Sequence, residues 1–380
     1  MKIQKTLLQV DPNFKNKSIS NEPLEFFDST DGQFEINGLY EPKRLGGFMR
    51  LPVSLVSDKL KNDGVSQLMY NTSGGRIRFS TDSPYVAVSV ELSPVEIMPH
   101  MPITGQAGVD IYTGERNSCY TTYKQTFFPS KSFTSNKMLS YTGLCEFDWR
   151  HNGIEKEVVI YLPLYSSVIK LHIGLKPGSK ILKPTDYKIK NPIVFYGSSI
   201  TQGGCASRPG NNYVAHLSRW LSADFINLGF SGSCKGEIEM ARHIASLNMS
   251  AFFMAYDANA PSLEHLENTH FPFYQYIRDK NPVLPIIFTS MPRYPMPHVG
   301  IGKYFRHPAS AKRIIIESYC RALNDGDNNV YYLDGASLYG ATDQDACTVD
   351  GLHPNDLGFY RMALSIYPLL KNILYKGREI

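Results

Sequence analysis

The hydrophobic rhythm of this chain changes once, near residue 180, and that change constrains the fold more than any single motif. Before it, apolar residues recur at every second position. Val86, Val88, Val90 and Leu92 alternate with Ala87, Ser89 and Glu91, and Ile169, Leu171, Ile173 and Leu175 alternate with Lys170, His172 and Gly174. A period of two produces strands with one buried and one wetted face. Turn signals such as Ser73-Gly74-Gly75, Asp82-Ser83-Pro84 and Asn152-Gly153 separate these runs, and no long amphipathic helix precedes residue 200. Residues 1–184 are therefore expected to form an antiparallel β-sandwich, jelly-roll-like in character, and Lys176 to Pro184 reads as the linker that follows it.

After the linker, strands and helices alternate. Strand-like runs lie near 193–196, 225–228, 251–256, 285–289 and 329–333, and helical periodicity near 211–222, 236–247, 263–279, 309–324 and 355–373. Such alternation gives a parallel sheet with helices on both faces, a three-layer α/β/α arrangement of the flavodoxin-like kind over residues 185–380. A chain of 380 residues, 42% of them hydrophobic, can bury both cores. In open sheets of this type ligands bind in the crevice beyond the carboxyl ends of the strands.

Four polar blocks fall at such strand ends. They are Gly197-Ser198-Ser199-Ile200-Thr201-Gln202-Gly203, Asn227-Leu228-Gly229-Phe230-Ser231-Gly232, Asp257-Ala258-Asn259 and Asp350-Gly351-Leu352-His353. A serine exposed at a sharp strand-end turn is a poor nucleophile until an imidazole accepts its proton and a carboxylate fixes the imidazole tautomer. The segment around His353 offers both groups. The first block lacks the Gly-Lys-Ser/Thr ending of a phosphate loop and the G-x-G-x-x-G spacing of a dinucleotide fingerprint. Thr201 also stands where the G-x-S-x-G elbow needs its second glycine.

The ordered set of blocks resembles the SGNH, or GDSL-like, esterase and acylhydrolase superfamily over roughly residues 190–375. The resemblance implies Ser199 as nucleophile, His353 as base and Asp350 as its orienting carboxylate. It implies an oxyanion hole built from the Ser199 and Gly232 backbone N–H groups and the Asn259 amide. Two positions depart from the family pattern: Ser198 stands where an Asp usually precedes the nucleophile, and Tyr256-Asp257-Ala258-Asn259 replaces a Gly-Gly-Asn-Asp run. The implied activity is hydrolysis of a short-chain acyl ester through an acyl-enzyme, without metal or organic cofactor. Members with an N-terminal β-domain point to an O-acetylated sugar or oligosaccharide. A lipid acyl ester, or an inactive carbohydrate-binding protein, is the alternative.

Composition narrows the partners. The net charge of +4 is small for this length, and no basic block or basic aromatic stripe marks a nucleic-acid surface. No apolar stretch is long enough to cross a bilayer. The opening residues, through Asn16, develop neither an apolar h-region nor a cleavage site, so the expected location is cytoplasmic, or extracellular if a leader has been removed. Oligomeric state is not readable. The cysteines Cys119, Cys145, Cys205, Cys234, Cys320 and Cys347 are scattered and read as free thiols, neither a disulfide framework nor a zinc site. Cys205 and Cys234 lie near the proposed site and are candidates to line it. His216 and His243 read as packed helix residues, His172 as a polar strand residue and Trp220 as core. His100, between Met98-Pro99 and Met101-Pro102, is a candidate to reach over the site from the β-domain. Arg208 and Arg293 read first as loop-holding guanidinium groups and second as substrate contacts.

Overall fold

The computed structural model describes residues 22–45, 47–129, 138–148, 153–292 and 308–376; the opening residues read for a leader, Asn152 and Arg293 lie outside them. The N-terminal part contributes strands β1 (Glu25–Asp28), β2 (Glu35–Asn37), β3 (Arg76–Thr81), β4 (Tyr85–Leu92), β5 (Val109–Glu115), β6 (Thr122–Phe127), β7 (Leu139–Glu146), β8 (Lys156–Tyr161), β9 (Val168–Leu175) and β10 (Ile181–Leu182). One antiparallel sheet has the order β1-β9-β4-β7 and the other β10-β3-β8-β5-β6, with β2 beside β3. Apart from β2 and β10, this is the strand order of a jelly roll. The inward residues of both sheets form one core, in which Val88, Val90 and Ile173 meet Phe79, Val158 and Ile160.

The alternation read for β4 holds, since Val86, Val88, Val90 and Leu92 are all fully buried. In β9 it fails at one position. Glu91 pairs with Lys170 but Leu92 pairs with Val168, so Ile169 is the extra residue of a bulge. Val168 takes the inward position and Ile169 is 40% exposed. The stretch read as a linker also carries structure, because Ile181 and Leu182 pair with Thr81 and Ser80.

The C-terminal part is built on β11 (Ile189–Gly197), β12 (Ala223–Gly229), β13 (Ala251–Ala255), β14 (Ile286–Thr289) and β15 (Val330–Leu333), ordered β12-β11-β13-β14-β15. All neighbours are parallel. Period-two burial sends successive residues of β11 to opposite faces. Val194 and Tyr196 join Met240, Ile244, Phe273, Ile277 and Ile315 from helices at Ile238–Ala245, Leu263–Lys280 and Pro308–Asn324. Ile193 and Phe195 join Tyr213, Leu217, Phe359 and Ile366 from helices at Tyr213–Leu221 and Asp356–Leu374. No helix among the described residues is long and apolar enough to cross a membrane.

The two parts share cores. Leu51, Leu55, Val56, Leu60, Val65 and Met69 pack into the parallel-sheet layer and not into the sandwich. Arg76, fully buried on β3, forms an ion pair with Asp224 of β12 and stacks 3.7 Å from the Phe225 ring centroid. Arg50 donates to the carbonyls of Asn227 at 3.1 Å, Gly229 at 2.6 Å and Leu68 at 2.8 Å. Its guanidinium lies 4.2 Å from the Phe230 ring centroid. Burial, opposed by Cys234 and Tyr165, lowers the Arg50 pKa to about 9.

Candidate active site

The sheet order places β11 at its topological switch point, with β12 on one side and β13 on the other. The turn after β11 is very tight. A Cβ on Gly197 would stand 2.3 Å from Thr201 Oγ1 and 2.8 Å from the Ala255 carbonyl oxygen, which only glycine avoids. Ser198 then caps a one-turn helix, Ser199–Gln202, its Oγ accepting the Ile200 N–H at 3.2 Å. The hydroxyl thus replaces the usual carboxylate as the group that holds the turn. Ser199, one residue further, turns its Oγ to His353 Nε2 at 3.0 Å.

His353 is fixed from behind. Asp350 Oδ2 accepts from His353 Nδ1 at 2.7 Å, while Oδ1 accepts the backbone N–H groups of His353 at 2.7 Å and Leu352 at 3.0 Å. A carboxylate can only accept here, so Nδ1 carries the proton and the Nε2 lone pair faces Ser199. Burial alone would raise the Asp350 pKa, but the side-chain and backbone hydrogen bonds from His353 outweigh it and the carboxyl is lowered. Charge on Asp350 favours the imidazolium that would form when Ser199 gives up its proton. Serine, imidazole and carboxylate are in line for nucleophilic attack on a carbonyl.

The other two blocks are joined to each other. Asn259 closes a short 3-10 turn after β13, and its Nδ2 donates to the Phe230 carbonyl at 3.0 Å. That bond sets the amide orientation and leaves its second N–H available. Gly232, two residues after Phe230, is exposed with φ +65°. Among the described residues no hydrogen bond links Gly232 or Asn259 directly to Ser199, so the structure brings Ser199, His353 and Asp350 together and joins these two to them by no direct bond.

Several supporting residues were not singled out from sequence. Gln202 accepts the Ser231 N–H at 2.8 Å and donates to the Leu164 carbonyl at 3.2 Å, tying the β12 loop to the sandwich. Asn227 donates to the Thr201 carbonyl at 2.7 Å and accepts the Gly229 N–H at 2.9 Å. Tyr165 donates to the Ser199 carbonyl at 3.3 Å. Gln202 and Asn227 stand inside the polar blocks, which was the available signal; Tyr165 and Arg50 carried none.

The remaining candidates separate clearly. His100 does reach over, its ring centroid 5.5 Å from that of His353. Cys205 lies beside them, and burial together with Asp350 pushes its thiol up to about 12. Cys234 does not line the site, since its thiol is fully buried and directed to the Leu228 carbonyl. Arg208 is a loop-holding residue, bonded to Asp110 at 3.1 Å and stacked 3.9 Å from the Tyr123 centroid. Trp220 packs among His216, Tyr360 and Tyr367. A groove of about 1070 Å³ runs along the sandwich, bordered by Tyr165 and His100, which touch Ser199 and His353, and by Ile97, Ile169, Tyr70 and Met49.

Residues 190–371 match the GDSL-like lipase/acylhydrolase family, and residues 24–181 match the N-terminal module of SGNH-hydrolase-type esterases. The chain belongs to the SGNH/GDSL-like hydrolases. Together the two matches span both halves of the chain. A crystal structure described as a GDSL-like lipase from Bacteroides ovatus is 28% identical, with TM-score 0.79 over 93% of this chain and 98% of that one. A salicylyl-acyltransferase from a tetracycline biosynthetic pathway is 20% identical, with TM-score 0.70 over 90% and 95%. An acetyl xylan esterase from the rumen bacterium Butyrivibrio proteoclasticus is 15% identical, with TM-score 0.56 over 92% and 98%. The last two likenesses are of fold. No curated protein sequence matches the chain.

Proposed function

We propose that this SGNH/GDSL-like hydrolase is a serine esterase that removes short acyl groups, with an O-acetylated sugar or oligosaccharide as its substrate. The observation that carries the reading is the continuous line Ser199 Oγ, His353 Nε2, His353 Nδ1, Asp350 Oδ2, with links of 3.0 and 2.7 Å. In this reading His353 takes the Ser199 proton as Oγ attacks the ester carbonyl. The Ser199 and Gly232 N–H groups and the Asn259 amide hold the oxyanion, and His353 protonates the departing alcohol. Water, activated by the same imidazole, releases the acyl group. Every step uses a residue of this chain.

The carbohydrate assignment is supported by the shared architecture with the acetyl xylan esterase and with a family two carbohydrate esterase from Cellvibrio japonicus, 13% identical with TM-score 0.57. One feature favours a second reading, a lipid acyl ester: Ile97 and Ile169, 55% and 40% exposed, border the groove. The test is a panel of acetylated sugars scored by released acetate, run beside chromogenic esters of increasing chain length. Acetate release with rates falling steeply by octanoate supports the deacetylase reading, because added methylenes have no prepared pocket. Faster turnover of long-chain esters supports the lipid reading. No turnover of any ester contradicts both.

A further inference from the structure

Three metal-ligating side chains converge on one point beside the triad. His100, Cys205 and His353 each offer a ligand atom, and these atoms lie within 4.8 Å of one another, the one such group of three among the described residues. They come from three distant stretches: a loop after β4, the turn after the one-turn helix, and the segment before the last helix. Cys205 is held in the left-handed region at φ +77°, a conformation that costs a non-glycine residue and persists only where the surroundings enforce it. The rings of His100 and His353 lie 5.5 Å apart between centroids, tilted by 47°.

The donor chemistry selects the cation. His353 Nδ1 is committed to Asp350, so its available nitrogen is Nε2, the atom that faces Ser199. Two imidazole nitrogens and a thiolate suit Zn²⁺, which binds such ligands at about 2.0–2.3 Å in a tetrahedron. Ligand atoms then stand about 3.3–3.8 Å apart, so this group needs to close by about an ångström, and exposed His100 is the member with room to move. The Asp350 carboxylate already sits behind His353 as the outer partner that metal-bound histidines commonly have.

We propose that His100, Cys205 and His353 bind a single Zn²⁺ with water as the fourth ligand, and that occupation switches the esterase off by taking the Nε2 lone pair from Ser199. On binding, the Cys205 S–H bond breaks and an S–Zn bond forms. The proton leaves to solvent and no electrons are transferred. The switch rests on the proposed role of Ser199 and His353; the binding of the cation does not.

Co²⁺ serves as the probe, because a cobalt–thiolate bond gives a charge-transfer absorption. Metal-free protein titrated with Co²⁺ is expected to develop this band at roughly one ion per chain, and Zn²⁺ is expected to abolish it. Cys205→Ala removes the band. His100→Ala, an exposed substitution with no folding risk, weakens binding by about tenfold or more. In parallel, Zn²⁺ inhibits ester hydrolysis by the natural sequence, whereas His100→Ala needs at least about tenfold more Zn²⁺ to halve its own metal-free rate. Absence of the band in the natural sequence, or a His100→Ala variant that binds cobalt as tightly as the natural sequence, overturns the site. A zinc-loaded protein that hydrolyses esters at the full rate overturns the switch. If no ester is turned over, the cobalt titration still decides whether the site exists and the failure lies with the esterase reading.

Discussion

Two adjacent serines differ in what their hydroxyls meet. Ser198 Oγ is spent on the Ile200 N–H and Ser199 Oγ on His353. Ser199→Ala is therefore expected to abolish ester hydrolysis with little change in melting, since the hydroxyl meets the base and adds little to packing. Ser198→Ala is expected to do the reverse, losing about 0.5–2 kcal/mol of stability with the cap while retaining most turnover. Chromogenic ester assays and melting curves on both variants check this, and exchanged behaviour would refute the choice of nucleophile. Asn259 offers a subtler test. If its free N–H strengthens its bond as the carbonyl oxygen gains charge, Asn259→Ala lowers kcat by about a hundred- to a thousandfold with a smaller effect on KM. The competing role is structural, because the same amide ties the turn after β13 to Phe230. A near-normal kcat in a protein that melts earlier would leave the oxyanion to backbone donors alone.

At the scale of elements, three helices of the parallel-sheet layer carry packed histidines that are expected to make the fold acid-sensitive. Burial lowers His270, on the helix Leu263–Lys280, to about 3. Burial likewise lowers His243 to about 4, and burial with Arg219 and Arg208 lowers His216 to about 3. The unfolded chain binds these protons near pH 6.5 and the folded chain does not, so stability is full above that pH and falls as pH drops toward the folded values. The His270 ring is packed between Tyr256 and Phe288, and His270→Phe is expected to flatten the decline by up to about 1.4 kcal/mol per pH unit below 6.5. Urea midpoints at several pH values check it, and an unchanged slope would show that His270 is protonated in the fold. These helices and the strands they cover were legible because their apolar residues repeat at fixed periods over many residues. The bulge at Ile169 was not, because one inserted residue leaves the local composition strand-like and shows only in the pairing with Leu92. The same limit applies to the site. Ser199, Asp350 and His353 could be picked out because strand ends and turn residues bracket them, and His100 from its place in a Met-Pro-flanked loop, whereas Tyr165 reaches the site through tertiary packing that no local pattern records.

Across the whole molecule, the two halves that the sequence separates by rhythm are joined by buried polar groups that neither half satisfies alone. Arg76 leaves the sandwich to meet Asp224, the Phe225 carbonyl at 3.2 Å and the Tyr187 hydroxyl at 3.2 Å. Arg50 holds the strand that leads to Gly232, and Ser73 donates to the Gln202 carbonyl at 2.6 Å. The short helices Val53–Asp58 and Asp63–Leu68, N-terminal in sequence, add their apolar residues to the parallel-sheet core. Unfolding either half first would strand buried charge and open that core, at about 3–5 kcal/mol for a broken buried pair alone. The halves are therefore expected to melt together, in one calorimetric transition whose measured enthalpy equals the van't Hoff value. Arg76→Ala separates this from a weaker coupling, because it deprives Asp224 on β12 of its charged partner while leaving the sandwich core untouched. If the junction governs both halves, the single transition moves down as a whole and far-ultraviolet and aromatic signals fall together. Two transitions in the natural sequence, or a variant in which only one signal shifts, would show instead that the sandwich and the parallel-sheet layer fold as independent units.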